Sequence, residues 1–432
     1  MSRALDRSTL RARPARESPR CASPAGRRWP IALLYAMALV LLVEGAGYLI
    51  VKAYDNDLGD RPQRHLYSAI RGHELNPAYR RGFDTGGRLI HSAQGFRRDG
   101  LIEKAKPTGT FRIFVLGGST LYGIGVQGGD LYPAHPSLAN DEAVPFFLEQ
   151  DLNARVRAAG FDVDVEVINA GVTAYQTFQH VLYFYETLYE YQPDMLLFLD
   201  GHNDFYNVDS ANPIKAYGYS AAGMMQALNE RRPLVSLYLA TRHLGQYSYA
   251  FKFLEKASLR LFERYEAPPH NSGESSRLPE GDFDTALESA AAVGFLRNYK
   301  LIEHFAREGG IDYHVFLQPE VVFENEQWLH PPDRGIKATT ERLYGPERVE
   351  LMRRARERFP ALFARHRIPF TDVGTIAQPG AEQAQLYVDY CHLTPEGSEA
   401  VADRMLPVVV DKVLARLRRE QEVPAATASG PV

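Results

Sequence analysis

The sequence predicts an α/β protein: a three-layer α/β/α sandwich with a central parallel sheet, preceded by one N-terminal transmembrane helix. Short β-branched and aromatic runs alternate with helical segments along residues 108–419, a pattern typical of βαβ units around a parallel sheet. Residues 30–51 form an apolar run with one charged residue, Glu44. As a helix this run is ~33 Å long, enough to cross a ~30 Å hydrocarbon core.

The charges beside this run predict its orientation. Residues 1–28 carry eight arginines and two acidic residues, a net charge of +6. Positive segments stay in the cytoplasm, so we expect a single-pass protein of the inner membrane with its N-terminus inside and the rest periplasmic. The alternative is a cleaved signal peptide, because the small residues Gly45–Gly47 follow the apolar core. Glu44 costs insertion energy unless it snorkels or finds a partner.

The composition excludes several classes of protein. The 432 residues are 45% hydrophobic and 24% charged, with a formal net charge of −4. These values exclude wholesale disorder and argue against a nucleic-acid binder. Two cysteines, Cys21 and Cys391, are too few for a disulfide framework or a four-thiolate zinc site. The histidines lack paired ligand spacing, so we expect no metal and no other cofactor.

Five segments are expected along the chain: a basic cytoplasmic arm (1–29), the transmembrane helix (30–52), a polar stalk that wraps onto the domain (53–107), the α/β domain (108–419) and a disordered tail (420–432). A helical insertion at about 208–283 interrupts the α/β domain. Its amphipathic stretch 233–265 has an apolar face beside a basic stripe. Either this stretch packs on the core with a solvated flank, or it is a lid or membrane-surface helix.

The elements of the α/β domain follow from local patterns. Strands are expected at the short β-branched and aromatic runs 111–117, 163–171, 195–201, 312–318 and 368–374. Helices are expected at the amphipathic segments 144–159, 177–191, 284–307 and 340–366. A last helix begins at Pro395, with Thr394 as its N-cap.

Polar residues follow these strands, where ligands of parallel sheets bind. Gly117–Thr120 comes directly after the first strand, Asn169–Ala174 ends the second, and Gly201–Asp204 ends the third. Asp389–His392 lies on the loop that enters the last helix. A carboxylate three residues before an imidazole can orient it, and the imidazole can deprotonate a serine hydroxyl. The order of the four motifs along one edge therefore indicates a nucleophilic serine site.

The same four motifs resemble those of the SGNH (GDSL-like) hydrolase family. The family's Gly-Asp-Ser-Leu turn reads Gly117–Thr120 here, its Gly-x-Asn-Asp block reads Gly201–Asp204, and its Asp-x-x-His block reads Asp389–His392. The resemblance spans about 108–207 and 284–418 and implies the SGNH-hydrolase variant of a flavodoxin-like fold. The Gly-Gly-Ser-Thr form, the stretch Gly95–Arg97 and the preceding apolar helix resemble the family's membrane-anchored bacterial members.

The resemblance implies a role for each site residue. Ser119 is the nucleophile, His392 the general base, and Asp389 the residue that orients the imidazole. The N–H groups of Ser119 and Ala174 and the side-chain amide of Asn203 form the oxyanion hole.

This chain departs from the family pattern at three positions. Gly118 and Thr120 stand where the family usually has Asp and Leu. Ala174 stands where the family has an oxyanion glycine, and its N–H can serve provided that the backbone does not demand glycine. Gly171, three residues earlier, is the alternative donor.

The expected function is an extracytoplasmic serine esterase that hydrolyses acyl esters of a lipid or an O-acylated glycan. The alternatives are an O-acyltransferase acting on an envelope polysaccharide and an inactive SGNH-like domain that binds a glycan or envelope partner; the substitution at 174 supports the latter. Gly123–Gly128 matches G-x-G-x-x-G, but prolines follow where a helix should open, so no dinucleotide site is expected. Cys391 is interpreted as a spacer between Asp389 and His392.

Overall fold

The computed structural model describes residues 28–54, 64–79, 90–204, 247–265 and 282–422, apart from positions 69, 127 and 380–383, together with four isolated positions between 237 and 245. The predicted cytoplasmic arm up to residue 27, most of the insertion and the chain after 422 lie outside the described residues.

A central sheet of five parallel strands forms the α/β domain. Its strands are β3 (Thr110–Gly117), β4 (Asp164–Asn169), β5 (Met195–Asp200), β6 (Asp312–Leu317) and β7 (Phe370–Asp372). They are ordered β4-β3-β5-β6-β7, and every neighbouring pair is parallel. The strands β1 (His65–Ser68) and β2 (Gly72–Leu75) form a separate antiparallel hairpin. The predicted α/β class with a central parallel sheet is confirmed.

The described residues contain ten α-helices. They are α1 (Arg28–Tyr54), α2 (Ser119–Tyr122), α3 (Val144–Ala158), α4 (Thr177–Glu186), α5 (Tyr249–Tyr265), α6 (Phe283–Ala291), α7 (Arg297–Glu308), α8 (Pro331–Tyr344), α9 (Pro346–Arg365) and α10 (Pro395–Glu422).

Strand order and crossover direction place the helices on the two faces of the sheet. The crossover from β3 to β4 runs towards one side edge of the sheet, and every later crossover runs towards the opposite side edge. Because such crossovers are right-handed, α3 lies on one face while α4, α7 and α9 lie on the other. The last helix, α10, returns to pack against α3. Both faces are covered, so β3 and β5 read as nearly continuous buried apolar runs.

The same topology creates a binding edge. Counted from β3, the strand order is 2-1-3-4-5, the flavodoxin order, in which the direction of winding reverses between β3 and β5. Ligands of such sheets bind outside the carboxyl ends of the strands at this reversal point. Ser119 follows β3 and Asn203 follows β5, so the two residues flank it.

Two helix predictions were wrong in detail. The segment predicted as one helix over 340–366 contains two, α8 and α9, because Gly345 adopts φ +77°, outside the helical range, and a new helix starts with Pro346 in its first turn. The helix predicted at 284–307 is interrupted by a π-turn over 292–296. The tail was predicted to be disordered from residue 420, but α10 continues to Glu422. Its last turn includes an ion pair between Arg416 and Glu420.

The described part of the predicted stalk packs onto the domain around the binding edge. Phe96 is fully buried in the core. The Arg97 guanidinium donates hydrogen bonds to the carbonyls of Tyr122, at 2.9 Å, and Leu138, at 2.7 Å. His73 on β2 shares a hydrogen bond of 2.8 Å with the carbonyl of Thr173. The segment therefore supports the loops that follow β3 and β4.

Among the described residues, α1 is the helix long and apolar enough to cross a membrane, over Pro30–Ile50. It packs against α5 from the insertion. The Glu44 carboxylate accepts hydrogen bonds from the Ser248 hydroxyl and, at 2.8 Å, from the Tyr249 N–H. A Cβ on Gly47 would lie 2.8 Å from the Ala250 nitrogen, so the two helices touch there backbone to backbone. Glu44 thus caps the first turn of α5.

Candidate active site

Three predicted side chains meet at the carboxyl edge of the sheet. His392 Nε2 lies 2.7 Å from Ser119 Oγ, and His392 Nδ1 lies 2.7 Å from Asp389 Oδ2. Because a carboxylate accepts, Nδ1 carries the imidazole proton and Nε2 presents its lone pair to the serine hydroxyl. The arrangement has the connectivity of an acid–base–nucleophile triad.

Local backbone geometry positions each member of the triad. Ser119 is the first residue of α2, a single turn directly after β3. The Asp389 Oδ1 atom accepts hydrogen bonds from the N–H groups of Cys391, at 3.0 Å, and His392, at 2.9 Å. These bonds close a tight turn that holds the carboxylate beside the imidazole. Thr394 Oγ1 then accepts from the Gly397 N–H at 3.0 Å and caps α10, as predicted.

Asp389 stays ionised in this setting. Burial alone would raise the pKa of its carboxyl, but the His392 imidazole and the two backbone N–H groups outweigh burial and lower the pKa below its usual value. A charged carboxylate at neutral pH is what stabilises an imidazolium when His392 takes a proton.

Gly118 lies against the side-chain amide of Asn203. A Cβ at residue 118 would lie 2.6 Å from Asn203 Nδ2. This nitrogen donates a hydrogen bond of 2.9 Å to the carbonyl of Tyr175. The amide is therefore held beside the nucleophile turn by the loop that follows β4.

Ala174 adopts the backbone conformation of a glycine. Its φ is +60°, and the Tyr175 N–H donates to the Val172 carbonyl at 3.1 Å, which closes a turn around it. A positive φ at the third position of a turn favours glycine. The N–H of the alternative, Gly171, donates to Asn169 Oδ1 at 2.9 Å. Ala174 is exposed at this edge, whereas Gly171 is buried.

Thr120 connects the turn that carries the predicted nucleophile Ser119 to the loop that carries the predicted base His392. Its Oγ1 donates to the Cys391 carbonyl at 3.2 Å and accepts from Gln318 Nε2 at 3.1 Å. The Cys391 side chain is buried, and burial raises the pKa of its thiol well above the usual value. Sequence reasoning missed Gln318, although it ends the predicted strand 312–318.

A second buried group lies beside the triad. Ligand-type atoms of His202, Glu320 and Cys391 lie within 4.8 Å of one another. However, His202 Nδ1 is hydrogen-bonded to Glu320 Oε1 at 2.7 Å, and the raised pKa of Cys391 keeps its sulfur protonated. We interpret the group as a hydrogen-bonded cluster. Sequence reasoning missed Glu320, which stands three residues after β6, at the same edge as the other site residues.

The G-x-G-x-x-G stretch is packed against its own chain. A Cβ on Gly125 would lie 2.2 Å from the carbonyl oxygen of His135, and the Gly125 N–H donates to Ser137 Oγ at 2.9 Å. This close approach explains the glycine without a phosphate ligand.

No protein-family model and no curated protein match the chain. Among solved structures, a carbohydrate acetylesterase from Sinorhizobium meliloti is similar over 71% of this chain and 99% of its own, with 13% identity and a TM-score of 0.31. The M. smegmatis aryl esterase is similar over 71% of this chain and 99% of its own, at 15% identity and a TM-score of 0.30. A GDSL-like lipase from Bacteroides thetaiotaomicron is similar over 70% of this chain and 88% of its own, at 12% identity and a TM-score of 0.27.

Proposed function

We propose that the chain is a serine esterase that hydrolyses acyl esters through Ser119, His392 and Asp389. The observation that carries this proposal is the continuous hydrogen bonding from Asp389 Oδ2 through the imidazole to Ser119 Oγ. As Oγ attacks the ester carbonyl carbon, His392 takes the hydroxyl proton and then returns it to the departing alkoxide. Water, deprotonated by the same imidazole, then releases the acid from the acyl-serine.

The oxyanion formed during attack needs donors close to the nucleophile. We assign this role to the N–H groups of Ser119 and Ala174 and to the Asn203 amide. The closeness of Gly118 to Asn203 Nδ2 supports this assignment, because it places the amide against the residue that precedes the nucleophile. The glycine-like φ of Ala174 supports it as well, and it weakens the case for an inactive binding domain.

We also propose that α1 anchors the protein in the inner membrane, with the arm inside and the α/β domain in the periplasm. The cap that Glu44 provides for α5 supports an uncleaved anchor, because it gives the charged residue hydrogen-bond donors along an otherwise apolar helix. Alkaline phosphatase fused after about residue 60 should be active, whereas a cytoplasmic reporter there should not. The reverse result would refute this topology.

A fluorophosphonate probe tests the proposed chemistry, because it labels only a serine that a working base activates. The wild-type protein should be labelled, and Ser119→Ala should not. Ser289→Ala, which alters an exposed serine on α6, is the matched control and should label normally. Labelling of Ser119→Ala at the wild-type level would refute the assignment of the nucleophile.

The acceptor of the acyl group is tested separately. Water and a sugar hydroxyl can both attack the acyl-serine with His392 as base. We expect free acid as the product, on esters of either a lipid or a glycan. Transfer of the acyl group to an added polysaccharide in preference to water would identify the protein as an O-acyltransferase instead.

A further inference from the structure

A second carboxylate–imidazole pair lies beside the proposed triad and has no role in it. His202 Nδ1 is 2.7 Å from Glu320 Oε1; the Glu320 side chain is fully buried, and that of His202 is 20% exposed. Because the carboxylate accepts from Nδ1, Nε2 is the ring nitrogen of His202 that is left to hydrogen-bond another group.

The fold places this pair next to the reacting groups. His202 and Glu320 follow the adjacent parallel strands β5 and β6, whose last residues are paired in register. The Tyr390 ring is 4.7 Å from the His202 ring and 5.5 Å from the His392 ring. Asn203, the proposed oxyanion donor, is the next residue along the chain. His202 is thus separated from the base by one aromatic ring and from the oxyanion hole by one peptide unit.

Two polar atoms in this cluster are buried and have no hydrogen-bond partner among the described residues. They are Glu320 Oε2 and the Tyr344 hydroxyl. The Tyr344 ring lies 6.4 Å from the His202 ring and nearly parallel to it, at 28°. Burial, followed by the Glu320 charge, raises the pKa of Tyr344, which therefore stays a hydroxyl. Buried polar groups of this kind are usually satisfied by another polar group or by ordered water, so the surroundings of the His202–Glu320 pair are polar.

We infer that His202, oriented by Glu320, binds a free hydroxyl next to the ester on the alcohol side of the substrate, and that this alcohol is a sugar. The inference rests on the proposed esterase function. His392 must protonate the departing alcohol, so the alcohol passes beside His392 and its neighbour Tyr390. A sugar offers a hydroxyl on the carbon next to the ester, and its C–H face can pack on the Tyr390 and Tyr344 rings. A simple alkyl ester can pack on these rings as well, but it has no hydroxyl for His202 to bind.

The test compares two acetates that differ by one hydroxyl: the monoacetate of trans-cyclohexanediol and cyclohexyl acetate. The full-length protein in detergent is assayed by acetate release. The wild type should prefer the hydroxylated ester in kcat/KM. In His202→Leu this preference should fall about tenfold, as expected for one lost hydrogen bond. Glu320→Gln should also lower the preference for the hydroxylated ester. It serves as the second variant if His202→Leu does not fold.

His366→Leu is the matched control. His366 Nε2 also pairs with a glutamate, Glu288, at 3.2 Å, but it precedes β7 and so lies at the opposite edge of the sheet. This variant should keep the wild-type preference. Methyl xyloside monoacetate and glycerol monoacetate then separate a sugar from a glycerolipid headgroup, and the sugar should be preferred.

Each outcome is decisive. If both cyclohexyl substrates lose activity equally in His202→Leu, or the preference does not change, His202 does not bind the alcohol and the inference fails. If glycerol monoacetate is preferred, the sugar assignment fails. If the wild type neither labels with fluorophosphonate nor hydrolyses any ester, the esterase proposal itself falls, and the inference falls with it.

Discussion

Thr120 Oγ1 donates a hydrogen bond of 3.2 Å to the carbonyl of Cys391, the residue before the proposed base. Thr120, which follows the proposed nucleophile Ser119, thus holds in place the loop that carries His392. Thr120→Val removes the donor to this buried carbonyl and one acceptor of the Gln318 amide, at a cost of about 1–3 kcal/mol in stability. We expect kcat to fall about tenfold with little change in KM, because the imidazole loses its exact placement.

Thr120→Ser keeps the hydroxyl and is the control. It should restore most of the activity that Thr120→Val loses, as measured by steady-state hydrolysis of an aryl acetate. Equal loss in both variants would show that the threonine methyl group, and not the hydrogen bond, positions the loop.

Asn203→Ala removes a proposed oxyanion donor but leaves the nucleophile and base in place. We expect kcat to fall by roughly 10²–10³, while slow fluorophosphonate labelling of Ser119 persists. Asn140→Ala, in which the lost amide is bonded to Asp99 on the surface, should retain wild-type kcat. Wild-type kcat in Asn203→Ala would remove this amide from the oxyanion hole.

Substitutions at Ala174 test whether the oxyanion hole needs a backbone N–H at this position or needs a glycine there. Ala174→Gly keeps the N–H and suits φ +60°, so activity should stay within about an order of magnitude of the parent and stability within about 1 kcal/mol. Ala174→Pro removes the N–H and cannot adopt a positive φ, so kcat should fall as in Asn203→Ala. A folded proline variant with full activity, judged by circular dichroism and hydrolysis rates, would mean that residue 174 donates nothing.

The contact between α1 and α5 is tested at two glycines of the same helix. A side chain on Gly47 would meet the backbone of Tyr249 and Ala250, whereas a Cβ on Gly45 has nothing within 4 Å. Cysteines introduced at Tyr48 and Tyr249, whose rings lie 5.1 Å apart, should cross-link with a short bismaleimide in membranes. Gly47→Leu should strongly reduce the yield, and Gly45→Leu should not. Equal yields would show that the two helices do not meet in the membrane-anchored protein.

His314 makes stability depend on pH. Burial, with a smaller effect of nearby Lys412, lowers the pKa of His314 to about 3 in the folded state. Below pH ~6.5 the unfolded chain takes up a proton that the folded chain refuses, so stability falls as the pH drops from ~6.5 towards the folded value. Between pH 7 and 5 the loss from this group is about 2 kcal/mol.

His314→Gln keeps a donor towards Thr371 but cannot titrate, so it isolates this loss. Urea unfolding of the full-length protein in detergent at pH 7 and pH 5 should show a smaller decrease in the free energy of unfolding for the variant, by about 2 kcal/mol. Identical decreases would mean that His314 is protonated in the folded protein.

Local patterns in the sequence were enough to predict the parallel sheet and the turn that joins Asp389 to His392. Each strand of the sheet is a short apolar run, and the two turn residues are three apart, so their geometry depends on neighbouring backbone alone. Helix ends with a local cause were also predictable, such as the Thr394 cap. The division at Gly345 and Pro346 was equally local, and the helix prediction over 340–366 overlooked it.

Contacts between distant residues were decided only by the tertiary structure. The resemblance predicted that Ser119 and His392 act together across 273 positions, but the contacts of Glu44 with Ser248, across 204, and of His202 with Glu320, across 118, were not predicted. None of these distances follows from local pattern, because each depends on strand order and on how helices pack. The glycine-like φ of Ala174 likewise comes from the turn that the loop after β4 must make at the crowded edge of the sheet. The type of a residue limits the chemistry that its side chain can perform, but the folded structure determines which other residue it acts with.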